Sequence, residues 1–556
     1  MTYFSKLFTL LFLVLFTVSC AGTKSTSNTE TTTSEDSETE MNSETEMEVV
    51  SATETWHLTT ANSTPYYGTG VEKAYTELLA DKTPGETVIV AIIDSGTDIN
   101  HEDLEANVWV NEDEIPGNKT DDDGNGYVDD VYGWNFIGGP DGSHVNKDTY
   151  ELTRLYSKLS NKYMGMSEDS VSEENQEEYE YYQEIEAAYN TRVEQNNRNL
   201  NQVGQSAQAI LFAKQTLNVS NIDSVTAQDL QIAEDDTQQI QQAKQIMSYL
   251  LDNGATEADI IELQEYYEHL QGLANYGLNP DFNPRDIVGD DYDDLSNRFY
   301  GNNDVTGPAS DHGTHVAGIV GAIRDNNLGA TGIADIELMI LRTVPDGDER
   351  DKDVANAIRY AAENGARVIN MSFGKGYSPQ KFYVDDAIRF ADSVGVLMVS
   401  GSGNGSDNVD STDSYPTRFY DNGGFAKNYL SVGATSWQSD SMLVASFTNY
   451  GKETVDIFAP GVDVYSTYPD NNYKMESGTS MASPVVAGVA ALIMSYYPEL
   501  SATQVKEIIL ETVTKVDQTV YKPGTQQAIQ FSELSSSGGI INAYEALKLA
   551  EERSQQ

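Results

Sequence analysis

The pattern of apolar positions predicts a sheet covered by helices. Residues 86–94 (ETVIVAIID) form a continuous apolar run that ends in Asp94, which is typical of a strand buried on both faces of a parallel sheet. Strand-like and helix-like segments alternate later in the chain: IELMILRTV, DKDVANAIRYAAENG, RVINMSFG, YVDDAIRFADSVG, VLMVSGSGN and YLSVGATS. This alternation predicts an α/β fold with a mostly parallel sheet and helices on both faces. The ligand crevice of such a sheet lies beyond the carboxyl ends of its strands.

A helical pattern occupies the middle of the chain. No proline occurs between Pro140 and Pro280, and Gln, Glu and Tyr recur there at helical spacing. One apolar stripe with the helical period consists of Ile240, Ala243, Met247, Leu250 and Leu251. Thr256 and Asp259 are typical of the capping pair at a helix N-terminus. We therefore expect an all-helical insertion at residues 148–279.

The N-terminus is typical of an export signal. Lys6 precedes an apolar run at residues 7–18, which is too short to span a bilayer comfortably, and small residues flank Cys20. A lone cysteine at such a junction resembles the lipobox of bacterial lipoproteins, which implies lipid attachment at Cys20; ordinary secretion and an uncleaved anchor are the alternatives. We expect a protein of the cell envelope or the outer membrane that is attached through this lipid, or else a secreted protein.

Composition narrows the possible partners. The chain has 88 acidic and 33 basic residues and a formal net charge of -55, which repels nucleic acid. Residues 21–50 are acidic and contain little to bury, so we expect a disordered tether there. The single cysteine excludes an intramolecular disulfide, and we expect a monomer without an organic cofactor. The predicted organisation is a signal peptide at 1–19, a tether at 20–55, a discontinuous α/β domain at 56–147 and 280–550, the insertion at 148–279 and a tail at 551–556.

Candidate catalytic residues occur at strand ends and helix starts. The segment MESGTSMASPVV contains Ser477, Ser480 and Ser483 before an apolar helix pattern, which fits either a helix start or a nucleophile. A serine nucleophile needs a base, a group that orients the base, and donors for the oxyanion. Two of the six histidines, His312 and His315, lie in SDHGTHVAGIVGAI at another helix start. The other four, His57, His101, His144 and His269, have no accompanying pattern, and we expect structural or solvent roles for them.

Four motifs resemble those of the subtilases, the subtilisin-like serine peptidases. In chain order they are VAIIDSGTDINHEDL, HGTHVAGIVGA, VINMSFG and SGTSMASPVVAGVAALI, and they give the order Asp, His, Ser that subtilisin has. The resemblance covers roughly residues 84–138 and 285–548. It implies a three-layer subtilisin-like fold and a serine endopeptidase that cleaves polypeptides through an acyl-enzyme intermediate.

The resemblance implies a role for each matching residue. Asp94 would orient the general base His312, and Ser480 would be the nucleophile. Asn404, in SGSGNGS, matches the asparagine that helps to bind the oxyanion, and the Ser480 N–H would be the second donor. The strand that pairs with an extended peptide is matched by Ser372, Phe373 and Gly374.

The acidic turn DDDGNGYVDD at residues 121–130 favours a calcium site. Asp121, Asp123 and Asn125 alternate across a glycine-rich turn, much like the start of an EF-hand loop. The Tyr127 carbonyl and Asp129 or Asp130 would follow as further oxygen donors. The alternative is an acidic turn without a metal. Asp103 matches a second position that subtilases use for calcium, although its partner loop, near RDNNLGATG, is one residue out of step.

A second hypothesis is a catalytically silent binding protein with a subtilase fold, which acts through its helical insertion. The presence of all four matching catalytic positions argues against it, because a silenced copy usually loses one of them. The leading hypothesis is therefore an exported serine endopeptidase.

Overall fold

The computed structural model describes residues 52–60 and 66–555. The predicted signal peptide, Cys20 and most of the predicted tether lie outside the described residues. The strands are β1 Ile89–Asp94, β2 Gly133–Asn135, β3 Glu337–Arg342, β4 Val368–Met371, β5 Leu397–Gly401, β6 Tyr429–Thr435, β7 Ile457–Pro460, β8 Val464–Tyr468, β9 Asn472–Glu476, β10 Thr514–Lys515, β11 Thr519–Tyr521, β12 Ala528–Gln530 and β13 Gly539–Ile540.

A nine-stranded sheet forms the middle layer of the described chain. Its strand order is β10-β13-β7-β6-β5-β4-β1-β3-β2, and every neighbouring pair except β10 with β13 is parallel. Two antiparallel pairs, β8 with β9 and β11 with β12, lie outside this sheet. The predicted mostly parallel sheet is confirmed.

Helices of the α/β part of the chain lie on both faces of the sheet. The α-helices of the described residues are α1 Val71–Glu77, α2 Glu151–Tyr163, α3 Gln176–Leu217, α4 Gln238–Asp252, α5 Glu257–Gly272, α6 Arg285–Val288, α7 Asp311–Gly321, α8 Asp351–Glu363, α9 Lys381–Ser393, α10 Thr479–Tyr496, α11 Ala502–Glu511 and α12 Ala543–Ser554. Alternate side chains of β1 enter two cores. Val90 and Ile92 lie in one core with residues of α7 and α10, and Ala91 and Ile93 lie in the other with residues of α8 and α9. The three-layer prediction is confirmed.

The helix α10 is apolar around its whole circumference. Among the described residues it is the one helix long and apolar enough to cross a membrane, and 89% of it is buried inside the protein. Most of its partners in the core belong to the parallel strands and to α7 and α11. Its length and composition are therefore those of the central helix of the fold.

Four helices, α2 to α5, lie within the predicted insertion. In α4 the side chains of Ala243, Met247 and Leu250 are buried, and Thr256 and Asp259 form a capping box at the start of α5. Ala187–Asn275 belongs to one compact unit, and Ala52–Glu186 with Tyr276–Gln556 forms the other. The helix α2 thus belongs to the larger unit, and the boundaries at 148 and 279 stay a prediction.

His57 is buried in the core without a hydrogen bond to either ring nitrogen. Its side chain is 2% exposed, and neither nitrogen has a partner within the described ranges. Burial, and secondly the nearby His315, lower the pKa of His57 to about 3. A histidine in the unfolded chain has a pKa near 6.5, so below about pH 6.5 the unfolded chain binds a proton that the folded protein does not bind.

We expect the free energy of unfolding to decrease as the pH falls from about 6.5 towards 3, by about 1.4 kcal/mol per pH unit for His57 alone. In a His57→Leu variant the decrease between pH 7.5 and 5.5, measured by urea denaturation, should be smaller by about 1 kcal/mol. Equal decreases in the variant and the wild type would contradict this prediction.

Candidate active site

Asp94 and His312 form a hydrogen-bonded pair at the carboxyl end of β1. The buried carboxylate of Asp94 accepts a hydrogen bond from the Ser95 N–H at 2.7 Å, and its Oδ1 lies 2.7 Å from Nδ1 of His312. A carboxylate accepts, so the proton of a neutral imidazole resides on Nδ1 and Nε2 is the basic nitrogen. The sequence-predicted orienting group and base are therefore in contact.

The environment makes His312 more basic than a free histidine. Desolvation of the ring acts against protonation, but the charge of Asp94 and the hydrogen bond to it outweigh this effect and raise the pKa of His312 above its usual 6.5. His312 keeps 39% of its side-chain surface exposed, so its ring is accessible to solvent. His312 therefore suits the role of a general base whose ring is neutral only when the pH exceeds its raised pKa.

A close backbone contact holds this pair together. Gly313 lies in α7, and a Cβ at this position would overlap the carbonyl oxygen of Gly96 and lie 3.2 Å from the Asp94 Cβ. Only glycine permits this approach. The start of α7 is therefore seated against the loop that follows β1, which places His312 over Asp94.

Ser480 lies in the first turn of α10 and contacts the segment after β4. Its Oγ donates to the carbonyl oxygen of Ser372 at 3.0 Å, and the Ser372 hydroxyl donates to the Ser480 carbonyl at 2.9 Å. That carbonyl has no helical donor, because Pro484 stands four residues later and lacks an N–H. The Ser483 hydroxyl also lies 2.9 Å from that of Ser372, so Ser372, Ser480 and Ser483 form one hydrogen-bonded group.

Asn404 presents its amide nitrogen near the N–H of Ser480. Its Oδ1 accepts from both the backbone N–H and the hydroxyl of Thr479, each at 3.0 Å, which fixes the amide orientation. A Cβ on Gly478 would lie 3.5 Å from the Ser480 nitrogen and 3.6 Å from Nδ2 of Asn404. Two donors therefore converge on one small space beside Gly478, as stabilisation of an oxyanion requires.

A cavity of about 440 Å³ lies beside this serine. Its lining includes Ser480, Asn404 and the sequence-predicted substrate segment of Ser372, Phe373 and Gly374. Residues 412–414 also line it, and Tyr415 pairs with Lys375 as an isolated antiparallel bridge. The cavity is large enough for a side chain, and Ser480 is part of its lining.

The other histidines make structural contacts. His315 is buried and its Nε2 lies 3.0 Å from the carbonyl oxygen of Lys474. His101 contacts the carbonyl of Asn472 at 3.0 Å, His144 lies 3.2 Å from the Asp304 carboxylate, and His269 stacks on Tyr266. These contacts agree with the roles expected from the sequence.

The acidic turn brings three carboxylates together. Oxygens of Glu114, Asp123 and Asp130 lie within 4.8 Å of one another; the sequence pattern missed Glu114, which lies before the turn. Asn125 donates to Asp123 and Asp130 at 2.9 and 3.0 Å. The remaining predicted ligands bind backbone N–H groups: Asp121 accepts from Asn125 and Gly126, and Asp129 accepts from Asn118 and Lys119.

Asp103 is not part of this cluster. Its carboxylate is buried and accepts from the Asn326 side chain at 2.6 Å and from the Ala330 N–H at 3.0 Å. The loop at 326–330 is therefore attached to Asp103 directly. A calcium ligand role for Asp103 stays a prediction.

Most of the chain matches one known protein family. The model of the subtilase family, peptidase S8, matches residues 85–530. The chain belongs to the subtilase family. Subtilisin DY of Bacillus licheniformis is 40% identical over 215 residues, which cover 38% of this chain and 73% of that protein. Subtilisin BL of Lederbergia lenta is 39% identical over 210 residues, which cover 37% and 72%.

The cell wall-associated protease of Bacillus subtilis (strain 168) is 35% identical over 235 residues, which cover 42% of this chain and 24% of that protein. With this membership and these relatives the chain is a subtilisin-like serine peptidase. The family and the class of enzyme that the motifs implied are confirmed.

Sequence reasoning missed the residues that support the subtilase site. Thr479 orients Asn404, and Asn449 accepts from the N–H groups of Gly405 and Asp407 at 3.0 and 2.9 Å. Lys375 is buried behind the substrate segment, where it pairs with carboxylates far away in sequence. Motif spacing gives no signal for these contacts, because each depends on how distant segments meet.

Gly478→Ala should impair peptide hydrolysis without unfolding the protein. The φ of Gly478 is 170°, which any residue adopts, but the new methyl group fills the space where the two donors converge. We expect kcat/KM to fall at least tenfold, towards the roughly 100-fold loss typical of a missing oxyanion donor. Gly272→Ala, with nothing within 4 Å of its Cβ position, is the control. Unchanged kinetics of Gly478→Ala would refute this geometry.

Proposed function

We propose that this protein is an exported serine endopeptidase in which Ser480 is the nucleophile, His312 the general base and Asp94 the group that orients the base. The observation that carries this proposal is the 2.7 Å bond between Asp94 and His312. Ser480 lies in α10, which packs against α7, the helix of His312.

In acylation the Ser480 hydroxyl leaves the Ser372 carbonyl and gives its proton to Nε2 of His312 while Oγ attacks the peptide carbonyl carbon. Asp94 stabilises the imidazolium and remains ionised. The protonated His312 then donates to the leaving amine, and the peptide C–N bond breaks. Water, deprotonated by His312, attacks the acyl carbonyl carbon. The ester bond to Oγ of Ser480 breaks, His312 returns the proton to Oγ, and the carboxylic acid product leaves.

Two further sets of residues support this chemistry: one would bind the oxyanion, and the other would bind the peptide backbone. The Asn404 amide and the Ser480 N–H would bind the oxyanion, and the start of α10 adds the favourable end of its helix dipole. The segment of Ser372, Phe373 and Gly374 would pair with the backbone of an extended peptide, as in strand addition. Polypeptides are therefore the proposed substrates.

A fluorophosphonate probe tests the proposal, because it phosphonylates an activated serine and releases fluoride. We expect the wild-type enzyme to be labelled and Ser480→Ala to remain unlabelled. The labelling rate should rise with pH through a value above 6.5, since only neutral His312 accepts the proton and its pKa is raised. Asp94→Asn should slow labelling by about 10⁴-fold.

A folded wild-type protein that takes up no more label than Ser480→Ala would favour the silent binding protein instead. Folding is checked by circular dichroism on the same samples. A pH profile of labelling whose midpoint lies below pH 6 in the wild type would exclude His312 as the base.

Export and lipid attachment at Cys20 complete the proposal. They are supported by the N-terminal sequence pattern and are compatible with a relative named as a cell wall-associated protease. Metabolic labelling with a palmitate analogue tests them, with Cys20→Ser as the unlabelled control.

We also propose that the carboxylates of Glu114, Asp123 and Asp130 hold a calcium ion. All three offer oxygen, the donor type calcium prefers, and their convergence within 4.8 Å places like charges together, which a divalent cation neutralises. Bound calcium would stabilise the turn and supply no chemistry to the peptide. The side chains of Glu114 and Asp130 are buried, so an ion there would be partly shielded from solvent.

Calcium should raise the midpoint of thermal unfolding, because a ligand that binds only the folded state stabilises it by about 2.7 kcal/mol at 100 times its Kd. Chelation with EDTA should reverse the increase, and Glu114→Gln should diminish it. Glu112→Gln, a charge change at an exposed neighbour, should leave it intact. An unfolding midpoint of the wild type that is insensitive to calcium would refute the site.

A further inference from the structure

Lys375 connects the substrate segment to two helix starts. Its side chain is 2% exposed, and its Nζ lies 2.9 Å from the Glu151 carboxylate and 2.8 Å from that of Asp351. It also donates to the carbonyl oxygen of Glu349 at 2.8 Å. A buried ammonium is tolerated only with such partners, so the position of Lys375 is strongly restricted.

The partners of Lys375 belong to elements far away in sequence. Glu151 is the first residue of α2, the first helix of the predicted insertion, and its carboxylate also binds Arg154 at 2.7 Å. Asp351 is the first residue of α8, and its carboxylate accepts from Ser378 and from the Gln380 N–H at 2.9 and 2.8 Å. The segment after β4 is thus attached to α2 and α8 through the side chain of Lys375.

The backbone of Lys375 is fixed by a second set of contacts. Its N–H donates to the Tyr415 carbonyl at 3.0 Å, and the Tyr415 N–H donates back at 2.9 Å. The next aromatic residue, Tyr377, packs against a cluster formed by α2 and the first turns of α3, which includes Leu155 and Tyr182. Side chain and backbone together determine where Ser372–Gly376 runs along the cavity.

We propose that Lys375 is a positioning residue for peptide substrates, and that α2 contributes to substrate binding through the ion pair of Glu151 with Lys375. The pair fixes the backbone that would pair with an extended peptide, while Asp94 and His312 are held by other contacts. Ser480 is held by the buried helix α10 and meets the segment at Ser372, three residues before Lys375. This inference rests on the proposed peptidase function. It gives the start of the insertion a role in substrate binding.

Variants at both ends of the pair separate positioning from general damage. In Lys375→Met the KM for a six-residue peptide should rise about tenfold or more, with kcat within about threefold, because binding common to ground and transition states is lost. Labelling by a small fluorophosphonate without a peptide part should keep the wild-type rate. Lys375→Arg should recover most of the loss in KM, since it retains the charge.

Glu151→Gln should raise KM in the same direction, and the double variant should be no worse than Lys375→Met alone, because both changes break one interaction. Lys147→Met is the control; Lys147 pairs with Asp346 at the surface and does not line the cavity. If Lys375→Met fails to fold by circular dichroism, Lys375→Arg and Glu151→Gln provide the comparison.

Wild-type KM in Glu151→Gln, or equal losses of fluorophosphonate labelling and peptide cleavage in folded variants, would overturn the inference. These results differ from failure of the proposed function, in which the wild type itself takes up no label. A loss confined to kcat would also overturn it, because a positioning residue for the peptide backbone acts first on binding.

Discussion

The close backbone contact between the start of α7 and the loop after β1 determines the geometry of the candidate site. Because Gly313 has no side chain, the helix approaches the carbonyl of Gly96, and His312 is brought to 2.7 Å from Asp94. Asp94 itself is fixed because its carbonyl accepts from Thr343 and Val344 at the end of β3, at 2.9 and 3.1 Å. These contacts keep Asp94 and His312 together as long as the central strands remain paired.

The second half of the site depends on α10. An apolar helix in the core has a fixed position because its burial is favourable and its neighbours are close-packed. Pro484 then leaves the carbonyl of Ser480 without its helical donor, and Ser372 satisfies that carbonyl from the substrate segment. Proline ordinarily weakens a helix. Here Pro484 leaves a carbonyl through which the nucleophile is joined to the segment that would bind the peptide.

Sequence patterns predicted the layers of this fold and the residues that could react, but not the residues that hold them. Apolar runs and helical periods are local properties, so the parallel sheet, the stripe in α4 and the cap at Thr256 follow from short windows. Asp94, His312 and Ser480 were found because motifs surround them. Thr479 was overlooked because its bond to Asn404 joins residues 75 positions apart.

The same limit applies to the metal and insertion predictions. Glu114 lies outside the turn whose spacing suggested calcium and reaches it only through folding. The compact unit Ala187–Asn275 is smaller than the predicted insertion, because α2 has helical periodicity yet belongs with the α/β unit. Periodicity identifies a helix, whereas the tertiary contacts of the helix decide to which unit it belongs.

Buried ion pairs attach α2 and the segment after the insertion to the start of α8. The chain has only 33 basic residues against 88 acidic ones, yet several basic side chains are buried in ion pairs at this place. Arg350 binds Asp148 at 2.7 Å, Arg285 binds Asp353 at 2.7 Å, and Lys352 binds Asp290 at 2.6 Å. Buried pairs add little net stability but penalise any arrangement that separates them. The three pairs join α2 and the segment after the insertion to the start of α8, which also carries Asp351, and they therefore favour the arrangement in which Lys375 meets Glu151.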